Sequence, residues 1–118
     1  MALPSAGVVV SVLICFSTAP DLTTARTLAA TLVDERLAAC VNLLPGMHSV
    51  YRWQGRMEAG EEVLLLIKTD RTCLPALQDR IVALHPHELP EVLAVEAAGG
   101  LPAYLDWISS ETRSDTRA

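Results

Sequence analysis

Aromatic side chains are scarce in this sequence: two tryptophans, two tyrosines and one phenylalanine. Its core must therefore be mainly aliphatic. Lysine is scarcer still. Lys68 is alone among nine basic residues, and the arginines are scattered along the chain. No basic stripe exists to follow a phosphate backbone, so nucleic acid is not an expected partner. No apolar run reaches the roughly 18–20 residues of a spanning helix, and the longest, Gly7 to Phe16, falls well short; no membrane association is expected. Cysteine is limited to Cys15, Cys40 and Cys73, an odd number without CxxC spacing. That suits a reducing compartment and argues against a disulfide framework. Catalytic signatures are missing too: no GxSxG, HExxH, Walker loop or GxGxxG occurs, and no carboxylate pair is spaced for acid–base work. No enzyme activity is expected.

What is present is apolar and mildly acidic. Apolar residues make up 51% of 118, the mean hydropathy is +0.33 and the net charge is −5. A domain this small has a high surface-to-volume ratio, so a partner chain is needed to cover the surplus. The segment Val8–Phe16 followed by Ser17-Thr18-Ala19 has the outline of a secretory signal, but no charged segment precedes it. A strand fits the same residues better, and cytoplasmic residence is the expectation.

The chain reads as one domain over residues 1–118, with 1–6 and 113–118 loose. Val8–Phe16 is β-branched and apolar throughout, a strand buried on both faces. Asp21 is a good N-cap. Ala25, Leu28, Ala29, Leu32 and Val33 then recur at helical spacing, predicting a helix to about Leu37. Ala39–Gln54 alternates, with Val41, Leu43, Met47, Tyr51 and Trp53 on one parity. It predicts a long edge strand bulged at Pro45-Gly46, followed by a hairpin tip at Gly55–Gly60. Glu62–Thr69 is a second strand apolar on both faces. A second helix starts near Thr72, tolerates Pro75 in its first turn and stops at Pro86. Val92–Ala97 is a fourth strand, and Leu101 to about Thr112 a third helix.

This order, βαββαβ plus a C-terminal helix, predicts an α+β, ferredoxin-like sandwich. The first and third strands lie at its centre, and those are the two that are apolar on both faces. Two helices cover one face of a four-stranded sheet. The other face would be an apolar patch of several hundred Å², and burying it at about 25 cal/mol per Å² is a strong force toward oligomerisation.

The densest polar cluster is His85-Pro86-His87-Glu88-Leu89-Pro90-Glu91. Prolines keep it extended, so His85, His87 and Glu91 project to similar sides. Imidazole and carboxylate suit Cu(II), Zn(II) or Ni(II). The bland alternative is a helix end whose histidine caps carbonyls, followed by a rigid connection. Tyr51 and Trp53 share a strand face, either packing on another chain or walling a small-molecule cleft between subunits with Glu62 and Lys68 as polar handles. A strand-end lysine more often reaches to water than serves as a catalytic amine. Cys15 and Cys40 read as core residues, and His48 as an exposed strand residue.

Five segments in order resemble the CutA divalent-cation tolerance family. They are Ser17-Thr18-Ala19-Pro20-Asp21; Glu35-Arg36-Leu37-Ala38-Ala39-Cys40-Val41-Asn42; Ser49-Val50-Tyr51-Arg52-Trp53-Gln54-Gly55 with Glu62 and Lys68-Thr69; His85-Pro86 with Pro90-Glu91; and Tyr104-Leu105-x-Trp107. The resemblance implies a ferredoxin-like homotrimer with its sheets around a threefold axis. It also implies a role in tolerance of divalent cations, copper above all, with no agreed catalysis and no obligatory cofactor. In family members with a described copper site, a strand-one cysteine contributes; the matching position here is Ser17, with Cys15 two residues earlier. His87 stands where the family usually has tyrosine, and His85 matches the family histidine. The family's fold is also similar to PII signalling proteins, so a trimeric module binding a small ligand between subunits is the alternative.

Overall fold

The computed structural model describes residues 10–113. The elements are β1 (Val12–Ala19), α1 (Leu22–Asp34), β2 (Cys40–Trp53), β3 (Arg56–Asp70), a short 3-10 turn (Arg71–Cys73), α2 (Leu74–Leu84), β4 (Leu93–Glu96) and α3 (Pro102–Glu111). The strands form one antiparallel sheet in the order β2-β3-β1-β4. The expected ferredoxin-like α+β layout is thus observed, with the two doubly apolar strands at the centre.

Several boundaries differ from the expectation. Val8 and Val9 lie outside the described residues, and β1 continues past Phe16. Ser17, Thr18 and Ala19, expected to lie past the end of the strand, pair with Leu65, Leu64 and Val63. The strand ends at Pro20, which has no N–H to give. Helix α1 stops at Asp34, short of Leu37, because Arg36 is left-handed with φ 60°. That conformation usually belongs to glycine and costs other residues about 1–2 kcal/mol. Here Arg36 is held from outside: its Nε donates to Glu111 O at 3.2 Å and its Nη2 to Ser110 O at 2.7 Å. Residues 1–6 and 114–118, expected to be loose, lie outside the described residues. Arg113, also placed in that loose tail, is tied in by its N–H to Arg36 O at 2.8 Å.

The predicted hairpin tip at 55–60 is strand. Trp53 pairs with Arg56, and only Gln54 and Gly55 turn, at φ 50° and 79°. A two-residue turn with both φ positive matches the twist of the flanking strands, so pairing starts at once. The bulge at Pro45-Gly46 is present: Leu44 pairs with Leu64, but Met47 pairs with Glu62. Its consequence was not expected. One extra residue reverses the parity of everything after it. Val41 and Leu43 face the helices beside Ile67 and Leu65, whereas Met47, Tyr51 and Trp53 face the opposite side with Glu62, Leu64 and Leu66.

The core lies between the helices and one sheet face. Leu13, Cys15 and Ala19 of β1 and Val63, Leu65 and Ile67 of β3 pack with Leu28, Leu32, Leu77 and Ile81 from α1 and α2. The other face carries Ile14, Phe16, Leu64 and Leu66, half-buried, and Leu44, Leu93 and Val95, exposed. Helix α3 crosses one end of it, where the Tyr104 ring centroid is 5.9 Å from Lys68 Nζ.

Candidate functional site

Strands β2 and β3 are much longer than β1. The last β1–β3 pair is Ala19 with Val63, so Arg56–Glu62 of β3 and their β2 partners rise beyond the sheet as an arm. The chain leaving α2 crosses the same end. Pro86 stops the helix, with His85 extended before it, and the chain then bends through residues 86–89. Arm and loop enclose a groove of about 570 Å³, with Tyr51, Arg52, Trp53 and Glu62 on one wall, Pro86, His87, Glu88, Leu89 and Glu91 on the other, and Thr18 of β1 also lining it.

Five of the seven residues singled out by sequence meet here: His87, Glu91, Tyr51, Trp53 and Glu62. The other two do not line the groove. His85 is buried, at 8% exposure, and both its ring nitrogens are engaged. Nε2 lies 2.6 Å from Thr18 O, and Nδ1 accepts the His87 backbone N–H at 3.0 Å. The two bonds are satisfied together by the tautomer with its proton on Nε2. His85 therefore offers no free lone pair; it pins the loop to β1 and sets the backbone of His87. The rings of His85 and His87 lie 4.8 Å apart between centroids, but of the three expected ligands only His87 and Glu91 line the groove. Lys68 sits six residues along β3 from Glu62, roughly 20 Å at strand rise. Its Nζ donates to Asn42 Oδ1 at 2.8 Å.

Glu88, which the sequence suggests only as a carboxylate supporting a histidine ligand, lines the groove itself, as does Thr18. Thr18 had no signal, since its position follows from β1 running longer than its composition suggests. The side chains of His87 and Glu88 and the carboxylate of Glu91 are exposed, and Glu62 is half-buried. As donors, imidazole and carboxylate fit a divalent transition ion in kind. Among the described residues, no three His, Cys, Asp or Glu side chains converge to hold one.

The cysteines stand apart from the groove. Cys15 is fully buried on the helix side, and burial pushes its thiol up to about 11, which makes it unreactive. Cys73 is buried as well, while Cys40 is partly exposed. Ser17 is buried opposite Leu65, and its hydroxyl has no hydrogen-bond partner among the described residues. His48 is exposed, 3.9 Å from an equally open Glu61.

The fold agrees with what comparison of the sequence finds: residues 13–111 match the family model described as CutA1 divalent ion tolerance protein. The chain belongs to the CutA family. It is 50% identical over 95 residues to the divalent-cation tolerance protein CutA of Thermus thermophilus, covering 80% of this chain and 92% of that one. It is 39% identical over 102 residues to a chloroplastic CutA of Arabidopsis thaliana, covering 86% of this chain but only 56% of the plant protein. The solved CutA of Xylella fastidiosa superposes with a TM-score of 0.84 at 50% identity, covering 87% of this chain and 99% of that one. The CutA family carries the name of a tolerance function and not of a reaction. No helix among the described residues is long and apolar enough to cross a membrane.

Proposed function

We propose that this CutA-family chain is a cytoplasmic, homotrimeric divalent-cation tolerance protein that binds copper(II) or a similar divalent ion and catalyses no reaction. The observation that carries the metal reading is the donor set of the groove: His87, Glu91, Glu88 and Glu62 line one cavity. His87 and Glu91 are the ligands from this chain, with water completing the coordination. His85 acts behind them as a positioning residue, since its Nδ1 holds the His87 backbone. No cofactor is obligatory for this role.

The trimer is supported by the sheet face opposite α1 and α2. Leu93 and Val95 are 62% and 45% exposed there, next to half-buried Phe16 and Ile14. A face of this kind is stabilised by a second copy at about 25 cal/mol per Å² buried. The PII-like alternative, a module reading a nucleotide between subunits, is disfavoured by the charge of the groove. Three glutamates against one arginine repel a triphosphate.

Calorimetric titration of Cu(II) into wild type and a His87→Ala/Glu91→Gln variant tests the metal assignment. The variant is expected to lose about tenfold or more in affinity. Equal, weak binding by both proteins would overturn it. Light scattering tests the assembly: the expected mass is three times 12.7 kDa, and a monomer mass at micromolar concentration is the contrary result.

A further inference from the structure

The groove has features that a metal ion does not use. Its volume of about 570 Å³ lies within the roughly 300–1,000 Å³ of small-molecule sites. Two of the five aromatic residues of the chain stand on one wall, Tyr51 half exposed and Trp53 at 37%. Glu62 lines the same groove from further along the arm, four and six residues of β3 from the partners of Tyr51 and Trp53, and Glu88 and Glu91 line it from the loop. With Arg52 counted and His87 neutral, three carboxylates against one guanidinium leave the lining at −2.

Each candidate ligand class uses a different part of this surface. A hydrated metal ion gains nothing from the aromatic faces. A neutral hydrocarbon gains nothing from the carboxylates. An anion is repelled by the net charge. An alkylammonium uses both: its methylenes lie on the rings, its charge is drawn to the ring faces, and its N–H groups donate to carboxylates. The carboxylates stand on both walls, which matches a ligand cationic at both ends. We infer that the groove binds a linear organic polycation of the polyamine class, with Tyr51 and Trp53 as its floor and Glu62, Glu88 and Glu91 as its anchors. This site shares Glu91 with the metal reading but needs neither His87 nor a metal, so His87→Ala tells the two apart.

The chain has two tryptophans, so a Trp107→Phe background leaves Trp53 as the only reporter of indole fluorescence. Spermidine titrated into that protein is expected to give a saturable change in Trp53 emission. Adding Glu88→Gln and Glu91→Gln is expected to weaken it by about tenfold or more, as is Tyr51→Ala. His87→Ala is expected to leave it intact while lowering copper affinity. Circular dichroism checks that each variant is folded, and the glutamine pair and Tyr51→Ala give two independent readings. The inference is overturned if no saturable change occurs up to about 1 mM. It is equally overturned if magnesium at matched ionic strength produces the same change, if both carboxylate and tyrosine variants bind as tightly as their parent, or if His87→Ala abolishes spermidine binding.

Discussion

At the α3 end of the sheet the Asp70 carboxylate accepts hydrogen bonds from Ser11 Oγ and Ser109 Oγ, both at 2.8 Å, and from the N–H and hydroxyl of Thr72 at 3.2 Å. It is 9% exposed. At the groove end three glutamates and His87 line a cavity, and no side-chain hydrogen bond or ion pair engages them among the described residues. The same residue chemistry is thus spent in two ways. Asp70, at the end of β3, has its acceptors filled by the residue before β1, the 3-10 turn ahead of α2, and α3. The groove acids have theirs open among the described residues. A polar group that the fold has satisfied reports on stability; a cluster of open ones beside aromatic faces reports on binding.

Mutations at the two ends should separate accordingly. Asp70→Ala has the largest expected effect, a loss of about 3 kcal/mol in urea unfolding at pH 7, since four donor groups from three residues lose one buried acceptor. A loss within experimental error would break the contrast. The same group sets an acid limb. Burial raises the Asp70 carboxyl, but the bonds from Ser11, Ser109 and Thr72 together outweigh it and hold it below the ordinary 3.8. Its contribution is therefore present above that pH and is lost as pH falls through the folded value. Asp70→Asn should flatten that part of a stability-versus-pH curve.

His85→Ala ranks next, at about 2 kcal/mol, because it leaves Thr18 O and the His87 N–H unpaired. It should also weaken copper binding, since the loop backbone is released. Unchanged copper affinity would show that His85 does not position His87. Ser17→Ala should stabilise by about 1 kcal/mol, as it removes a buried hydroxyl with no hydrogen-bond partner among the described residues. A lower melting temperature would contradict that. Glu88→Gln has the smallest expected effect, within about 0.5 kcal/mol of wild type. A loss as large as that of Asp70→Ala would mean the groove acids are structural after all.

Much of the fold was legible in residues 12–112. Two long apolar runs marked the central strands, Asp21 marked a helix start and Pro86 a helix end, and each of these signals acts within a few residues. Arg36 hid the end of α1, because its left-handed backbone depends on carbonyls from α3, 74 and 75 residues away. The length of β1 was hidden for the same reason: Ser17 to Ala19 are strand only because β3 is there to pair with them.

The sequence by itself determined the order of elements, the central strands, the apolar surplus and the residues from which a site could be built. It also carried the family's motifs. Only the tertiary structure decided how those residues are divided. The Pro45-Gly46 bulge turned Tyr51 and Trp53 away from the helices and onto the sheet face that also carries Glu62, and a bond across 67 residues holds His85 buried while His87 lines the groove. Local spacing sets which side of a strand or loop a side chain leaves from. Which partner waits on that side is a matter of packing between distant segments.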